Sequence, residues 1–303
     1  MPVQSEPTIK EITEDKTIPD KIRSENLWTK GFQKLRRDKF GKLSFFIVFL
    51  YFLIACGVWM GYLGTEWDEI GDESWAPISA EHWCGTNLNG QDILDRALYG
   101  TRVAFEIGFI VALLTTAIGA VLGSIAGYYS GTMIDQVIIW IYGTMESIPF
   151  ILFAAAIGFA MGDSPYGIYI AMISVMWTST AAVVRGEFIR IKNLEYIESA
   201  RAVGVPVLKI IFKHMLPNTS HLLLISATLA FVAAIKTEVI LSFLGIGVKE
   251  GISWGLMFAA AGSEVVAGYY TNFLTATMFM FILVLAFSVF ADALQDALDP
   301  KKV

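Results

Sequence analysis

The chain has 303 residues, 55% of them hydrophobic and only 17% charged, with a formal net charge of −6. Soluble domains run near 45–50% apolar and about 25% charged, so this composition, with mean hydropathy +0.59, excludes a disordered chain, a disulfide scaffold and an ordinary cytosolic enzyme. The acidic balance offers no basic footprint for nucleic acid.

Residues 1–43 hold ten of the 22 Lys and Arg residues. Residues 1–25 are polar and read as loose chain. From Leu27 to Leu43 the apolar residues Leu27, Trp28, Phe32, Leu35 and Phe40 fall near helical spacing among basic residues, the pattern of an amphipathic helix on a membrane surface or of a solvated tail that serves only as the positive-inside signal. A bilayer core takes about 20 mostly apolar residues as a helix, and six segments meet that length. They run over 44–63, 103–127, 133–162, 166–184, 222–245 and 269–290. Helices are the default because bare backbone cannot cross lipid unpaired. The first span starts too far from the N-terminus for a secretory signal and reads as a retained helix.

The loop 64–100 carries eight acids against one basic residue, Arg96. The segment 185–221 carries six basic residues, the tail after 290 carries Lys301 and Lys302, and 246–268 has Lys249 alone. The basic side faces the cytoplasm. Both termini and 185–221 are therefore expected inside, with 64–100 and 246–268 outside. The divisions are a tail (1–43), a leader helix (44–63), an external loop (64–102), a five-helix core (103–290) and a tail (291–303).

Span two carries Gly119, Gly123 and Gly127, a spacing that lets helix backbones approach closely in lipid. Pro149 should kink span three. Charges inside spans usually face protein or water, which makes Glu146, Lys236 and Glu238 candidates for a polar path, with a structural pairing to a neighbouring helix as the alternative for Lys236 and Glu238. Lys236 and Glu238 are two apart and point to different sides of one helix. Cys56 lies in an apolar run and Cys84 outside one, so no bridge between them is expected. His82, His214 and His221 form no metal-ligand pattern, and no GxxxxGK[ST] loop is present to cradle a nucleotide.

The most informative stretch is 185–221. Residues 187–203 suit a helix with Ile189, Leu194, Ile197 and Val203 apolar among charges. Gly204 suits the helix end, and Pro206 suits the first turn of a second helix, which Leu216-Pro217-Asn218 should stop. The result is a rigid helix–turn–helix with no chemistry of its own, built to be gripped by another protein.

Glu198-Ser199-Ala200, three residues, Gly204, nine residues, then His214-Met215-Leu216-Pro217 resembles the EAA loop of ABC-importer permeases, in the form typical of the dipeptide, oligopeptide and nickel subfamily. Cys84-GTNLNGQDILDRALYGTR-Val103 resembles that subfamily's FGTDxxGRDxxxRxxxGxR segment. Ala126-GYYSGTMID-Gln136, Glu238-VILSFLGIG-Val248, Ser253-Trp254-Gly255 and Asp292-ALQDALDPK-Lys302 fit it too, in order along the chain. Asn87 and Gln91 stand where that subfamily has Asp and Arg. Trp140 and Gly143 stand where most relatives carry an arginine and an acid.

The resemblance implies an all-α integral membrane protein of six transmembrane helices with the type I ABC importer (MetI-like) permease fold. It implies a C-type permease subunit for dipeptides or oligopeptides, without an ATPase site, in a bacterial inner membrane. Its partners would be a sister permease, two cytoplasmic ABC ATPase subunits that use the ATP, and an extracytoplasmic substrate-binding protein. No cofactor or metal in this chain and no nucleic acid are expected. Glu198, Ser199, Ala200, Arg201, Gly204, Pro206, His214, Leu216 and Pro217 would form the ATPase-coupling surface. An ion-gradient-driven transporter would instead show repeated halves, and an intramembrane enzyme would show a polar catalytic set; neither pattern is visible. Nickel, glutathione and siderophore-like cargoes use similar permeases.

Overall fold

The computed structural model describes residues 27–71 and 73–298, with the side chains of 27–30 and 32 left aside. The loose N-terminal segment and the tail lysines Lys301 and Lys302 lie outside the described residues, as do the side chains of Leu27, Trp28 and Phe32. The described chain is helical: α1 (Leu27–Arg37), α2 (Lys39–Trp59), α3 (Ile93–Tyr128), α4 (Met133–Glu146), α5 (Phe150–Ala160) and α6 (Gly167–Ile191). There follow α7 (Glu195–Ala202), a short α8 (Val207–Lys209), α9 (Ser220–Phe243), α10 (Trp254–Val266) and α11 (Thr271–Leu298).

Five helices are long and apolar enough to cross a bilayer, and α4 with α5 supplies a sixth crossing only as a pair bent by 90°. Pro149 sits at the bend with φ −54° and ψ 121° and starts α5. Ring geometry removes one helical hydrogen bond there and forbids the preceding turn. The expected kink is thus a full break.

Helix ends overrun the apolar windows. α3 begins at Ile93, well before position 103, where the Asp92 side chain accepts from the backbone N–H of Asp95 at 2.9 Å. Its 36 residues make a rod about 54 Å long at 1.5 Å per residue, longer than a bilayer is thick. α11 likewise runs to Leu298, past position 290. The amphipathic stretch 27–43 is split, because Asp38 caps α2 and turns residues 39–43 into the first turn of the leader helix.

α3 is the central rod, packed along α6, α9, α2 and α11. Gly119, Gly123 and Gly127 face α6 so closely that a Cβ on Gly123 would lie 2.5 Å from the Ala181 carbonyl oxygen, and one on Gly127 2.4 Å from the Phe188 Cβ. The small-residue stripe therefore has a named partner, and backbone approach supplies the dispersion contact that lipid cannot. On its other side α3 joins an aromatic core in which Phe231 stacks on Phe287 at 4.2 Å and meets Phe105 edge-on at 5.5 Å.

The termini of the helices settle which ends coincide. Arg201 on α7, in the connection that follows α6, lies over the ring of Tyr128 at the foot of α3, 5.1 Å from its centroid. Gly64, just after α2, abuts Asp95 and Tyr99 at the head of α3. The start of α2 packs on the end of α11 through Gly41 and Ala293, and the Lys34 amine on α1 donates to the Asp296 carbonyl at 2.7 Å. So α1, the end of α11 and the α6–α9 connection share one end of the bundle, and the 64–92 loop occupies the other.

The segment 246–268, expected as an outer loop, contains α10. Trp254 is buried and its indole donates to the Ala97 carbonyl at 3.0 Å. Glu264 is buried too, accepting from the Leu88 backbone at 3.0 Å and from the Asn272 amide at 2.9 Å. At 13 residues the helix is too short to span, so the hydropathy windows passed over it.

Candidate coupling surface and translocation groove

The connection between α6 and α9 is built around one apolar anchor. Ile197, Ile210, Ile211 and Met215 are buried together with Val184, Phe188 and Ile191 of α6. The single helix expected over 187–203 is broken after Ile191. Leu194 is extended and starts α7, with its carbonyl accepting from Ile197 and Glu198. The break turns Ile197 back under α6, burial that a straight helix would forgo. Lys192 holds the turn through the Ser130 hydroxyl between α3 and α4.

The end of α7 is locked. Gly204 has φ +80°, its N–H donates to the Arg201 carbonyl at 2.9 Å, and the Val205 N–H donates to the Ala200 carbonyl at 3.0 Å. This double closure is the Schellman motif, which wants glycine at the left-handed position. A Cβ at Gly204 would meet nothing within 4 Å, so the requirement is one of backbone angle and not of space.

The helix after Pro206 does not stop at Pro217. It passes from α8 into a wider π-helical turn over Ile210–Met215, then a 3-10 turn over Leu216–Thr219, then α9. The Leu216 N–H reaches back to the Ile211 carbonyl, and Pro217 opens the tighter turn, where its missing donor is not needed. The Asn218 amide donates to the Tyr196 hydroxyl at 2.9 Å and to the His214 carbonyl at 3.0 Å, tying α7 to the foot of α9. The expected stop is therefore a change of pitch within one continuous rod.

All nine residues expected to form the coupling surface lie on this knuckle. Glu198, Ser199, Arg201, Gly204, Pro206 and Pro217 are exposed; Ala200, His214 and Leu216 are half-buried, and Ala200 and Leu216 pack against the anchor. Two residues missed from that set dominate its outer face: Val203 is 84% exposed and Leu208 68%. Val203 is one of the four apolar residues of the expected helix, yet here it is the C-cap of α7 and faces outward.

The polar path candidates separate. Glu146 and Lys236 both line a groove of about 540 Å³ at the α4–α5 bend, with Pro149, Met176, Thr178 and Thr237. Both are exposed, and among the described residues neither forms an ion pair. Glu238 is turned away from this groove. It is buried, accepts from the Ser242 hydroxyl at 2.5 Å, and has Ser253 as a second partner. It clamps the turn from α9 to α10 and does not line this groove.

At the opposite end, the segment 84–92 is knotted by side-chain amides. Asn87 donates to the Gln91 carbonyl oxygen at 2.9 Å, and Gln91 in turn receives Arg96. His82 lies 2.8 Å from Asp92, while Cys56 and Cys84 are free thiols.

A polytopic all-α bundle with a rigid, locked knuckle at one end and a charged groove along its side has the form of a solute permease half. The chain belongs to the family of binding-protein-dependent transport system inner membrane components, whose model matches residues 119–303. It is 32% identical over 89% of its length to the dipeptide transport system permease protein DppC of Bacillus subtilis, covering 85% of that protein. It is 31% identical to the oligopeptide transport system permease protein OppC of the same organism, over 92% of this chain and 91% of that one. The glutathione transport system permease protein GsiD of Pectobacterium atrosepticum is 34% identical over 84% of this chain and 85% of its own. This is a multi-pass membrane protein with the type I permease fold.

Proposed function

We propose that this chain is one of two permease halves of an ABC importer that carries small peptides across a bacterial inner membrane. A sister permease, a different chain, supplies the other wall of the path. Two cytoplasmic ABC ATPase subunits hold the two knuckles, and an extracytoplasmic binding protein delivers cargo to the end that carries 64–92. Both termini lie in the cytoplasm with the knuckle. The chain has no nucleotide site or cofactor of its own; ATP is spent by the ATPase subunits.

The observation that carries this reading is the knuckle: an exposed face of Glu198, Arg201, Val203 and Leu208 on an anchor that is fully buried. An element of this kind transmits only the difference in its contacts between two states of a partner. Stiffness keeps that difference from being lost to local disorder. Closure of the ATPase pair displaces α7, the displacement passes through Ile197 and Met215 into α6 and α9, and these two helices carry Met176, Thr178 and Lys236 of the groove. Glu146 and Lys236 present opposite unpaired charges to a cargo that is itself a zwitterion. Glutathione is a peptide by chemistry, so the similarity to a glutathione permease falls within the same cargo class.

ATP-driven uptake by the reconstituted complete importer tests the assignment. Uptake is expected to need the ATPase subunits and to fall sharply with Glu198→Lys or Gly204→Leu, which weaken ATPase association while the spans stay inserted. Uptake that persists without those subunits would contradict it.

A further inference from the structure

We propose that a second cavity, at the outer end of the bundle, binds the terminal carboxylate of a small peptide before it reaches the groove of Glu146 and Lys236; this rests on the peptide-importer reading. The cavity measures about 360 Å³, within the range of roughly 300–1,000 Å³ typical of ligand pockets. α3 supplies Tyr99, Arg102 and Glu106, the start of α6 supplies Tyr166 and Tyr169, and the turn after α9 supplies Lys249.

Its two cations, Arg102 and Lys249, keep only long ion pairs among the described residues, at 4.0 and 3.6 Å. The Arg102 Nε is buried and has no hydrogen-bond partner. Glu106, the acid beside it, is 4.0 Å away, beyond hydrogen-bond range, and accepts from the Tyr169 hydroxyl at 3.3 Å. The guanidinium lies over the Tyr99 ring, 5.3 Å from its centroid, which fixes its plane without consuming its N–H groups. Among the described residues the Lys249 ammonium has one ion-pair partner, the fully exposed Asp163, at 3.6 Å. A guanidinium whose side chain is a third exposed to the cavity, and whose buried Nε has no partner, is suited to bind a carboxylate. Glu250 on the rim has no ion pair among the described residues and is placed to receive the ammonium of the same zwitterion.

The position fits a station on the way in. Tyr169 in this cavity and Met176 in the groove are seven residues apart on α6, two turns down one face and about 10 Å along it. Lys236 of the groove lies on α9, and Val248 and Lys249 of the outer cavity lie in the turn that follows that helix.

The complete permease–ATPase complex carrying Tyr166→Cys, in proteoliposomes without the binding protein, provides the test. The probe is a charged methanethiosulfonate reagent, with the chain lacking Tyr166→Cys as background for Cys56 and Cys84. Saturating alanyl-alanine is expected to slow modification at least about threefold, as occupancy requires, and alanyl-alaninamide to leave it unchanged. Arg102→Met and Lys249→Met should abolish the protection, and Arg102→Lys should keep part of it. Equal modification rates with and without the dipeptide, or equal protection by the amide, would overturn the proposal. Should Arg102→Met fail to assemble, Lys249→Met decides alone: retained protection overturns the proposal and lost protection supports it. Uptake by the complete importer separates the two readings. Normal uptake without protection removes only this site, and absent uptake removes the importer assignment while the protection result still scores the cavity.

Discussion

Arg185 on α6 grips Asp135 on α4 through two hydrogen bonds, Nε to Oδ1 at 2.7 Å and a terminal nitrogen to Oδ2 at 2.9 Å. Asp135 is the one residue of α4 that is buried, and its Oδ2 also accepts from the Gly131 N–H at 2.9 Å. An arm that is otherwise exposed or half-buried is thus tied to the bundle by an ion pair near its root, while Glu146 at its far end lines the groove.

Removing one partner strands a buried charge, which costs about 3–5 kcal/mol. Arg185→Met is expected to lower the thermal unfolding temperature of the purified complex strongly. Arg185→Met with Asp135→Leu should recover most of the loss, because a buried ion pair replaced by apolar side chains is often neutral. Equal destabilisation by the single and double variants would mean that the pair does not anchor α4.

The contact of α3 with α6 gives a contrast between two glycines. Gly123→Val pushes a side chain into the Ala181 backbone and should destabilise by about 1–3 kcal/mol through overpacking. Gly143→Ala on α4 meets nothing within 4 Å and should be neutral or stabilising by up to ~1 kcal/mol from helix propensity. Thermal unfolding of both variants, side by side, checks the difference.

Much of this arrangement was legible in the chain. The apolar windows find the crossings, and the glycine stripe marks the helix that must be approached closely. Gly204 and Pro206 mark the locked turn. What escaped has physical reasons. Hydropathy windows report the apolar stretch and not the whole helix, so α3 was read ten residues short and α10 was missed as a helix. The pairing of Asp135 with Arg185 spans 50 positions, and no local pattern encodes it. The helix expected over 187–203 runs through Lys192-Asn193-Leu194, where the chain in fact breaks; the burial of Ile197 imposes the break. Asn87 and Gln91 bond each other at 2.9 Å and are both buried. Changing either side alone would leave a buried polar group unpaired.

Gly204→Ala separates strain from crowding. The added methyl has room, but φ +80° disfavours any side chain, at a cost of about 1 kcal/mol. Peptide transported per ATP hydrolysed should fall as the α7 cap loosens, with little change in the thermal stability of the complex. An unchanged ratio would show that the locked turn is not needed for transmission.

Lys236→Met and Glu146→Gln alter the groove and not the packing, since neither side chain has an ion-pair partner among the described residues. Each is expected to reduce peptide uptake while the complex assembles at normal yield. Unchanged uptake in both would assign the groove to lipid or to the sister subunit.

The contact between the knuckle and the ATPase is the claim on which the mechanism turns, and Val203→Cys reads it directly. In inner-membrane vesicles of the complete importer, a thiol-reactive cross-linker at Val203→Cys is expected to join this chain to an ATPase subunit, with a yield that changes when ATP binds. Modification of Val203→Cys from the periplasmic face by an impermeant reagent, with no ATPase adduct, would contradict the account.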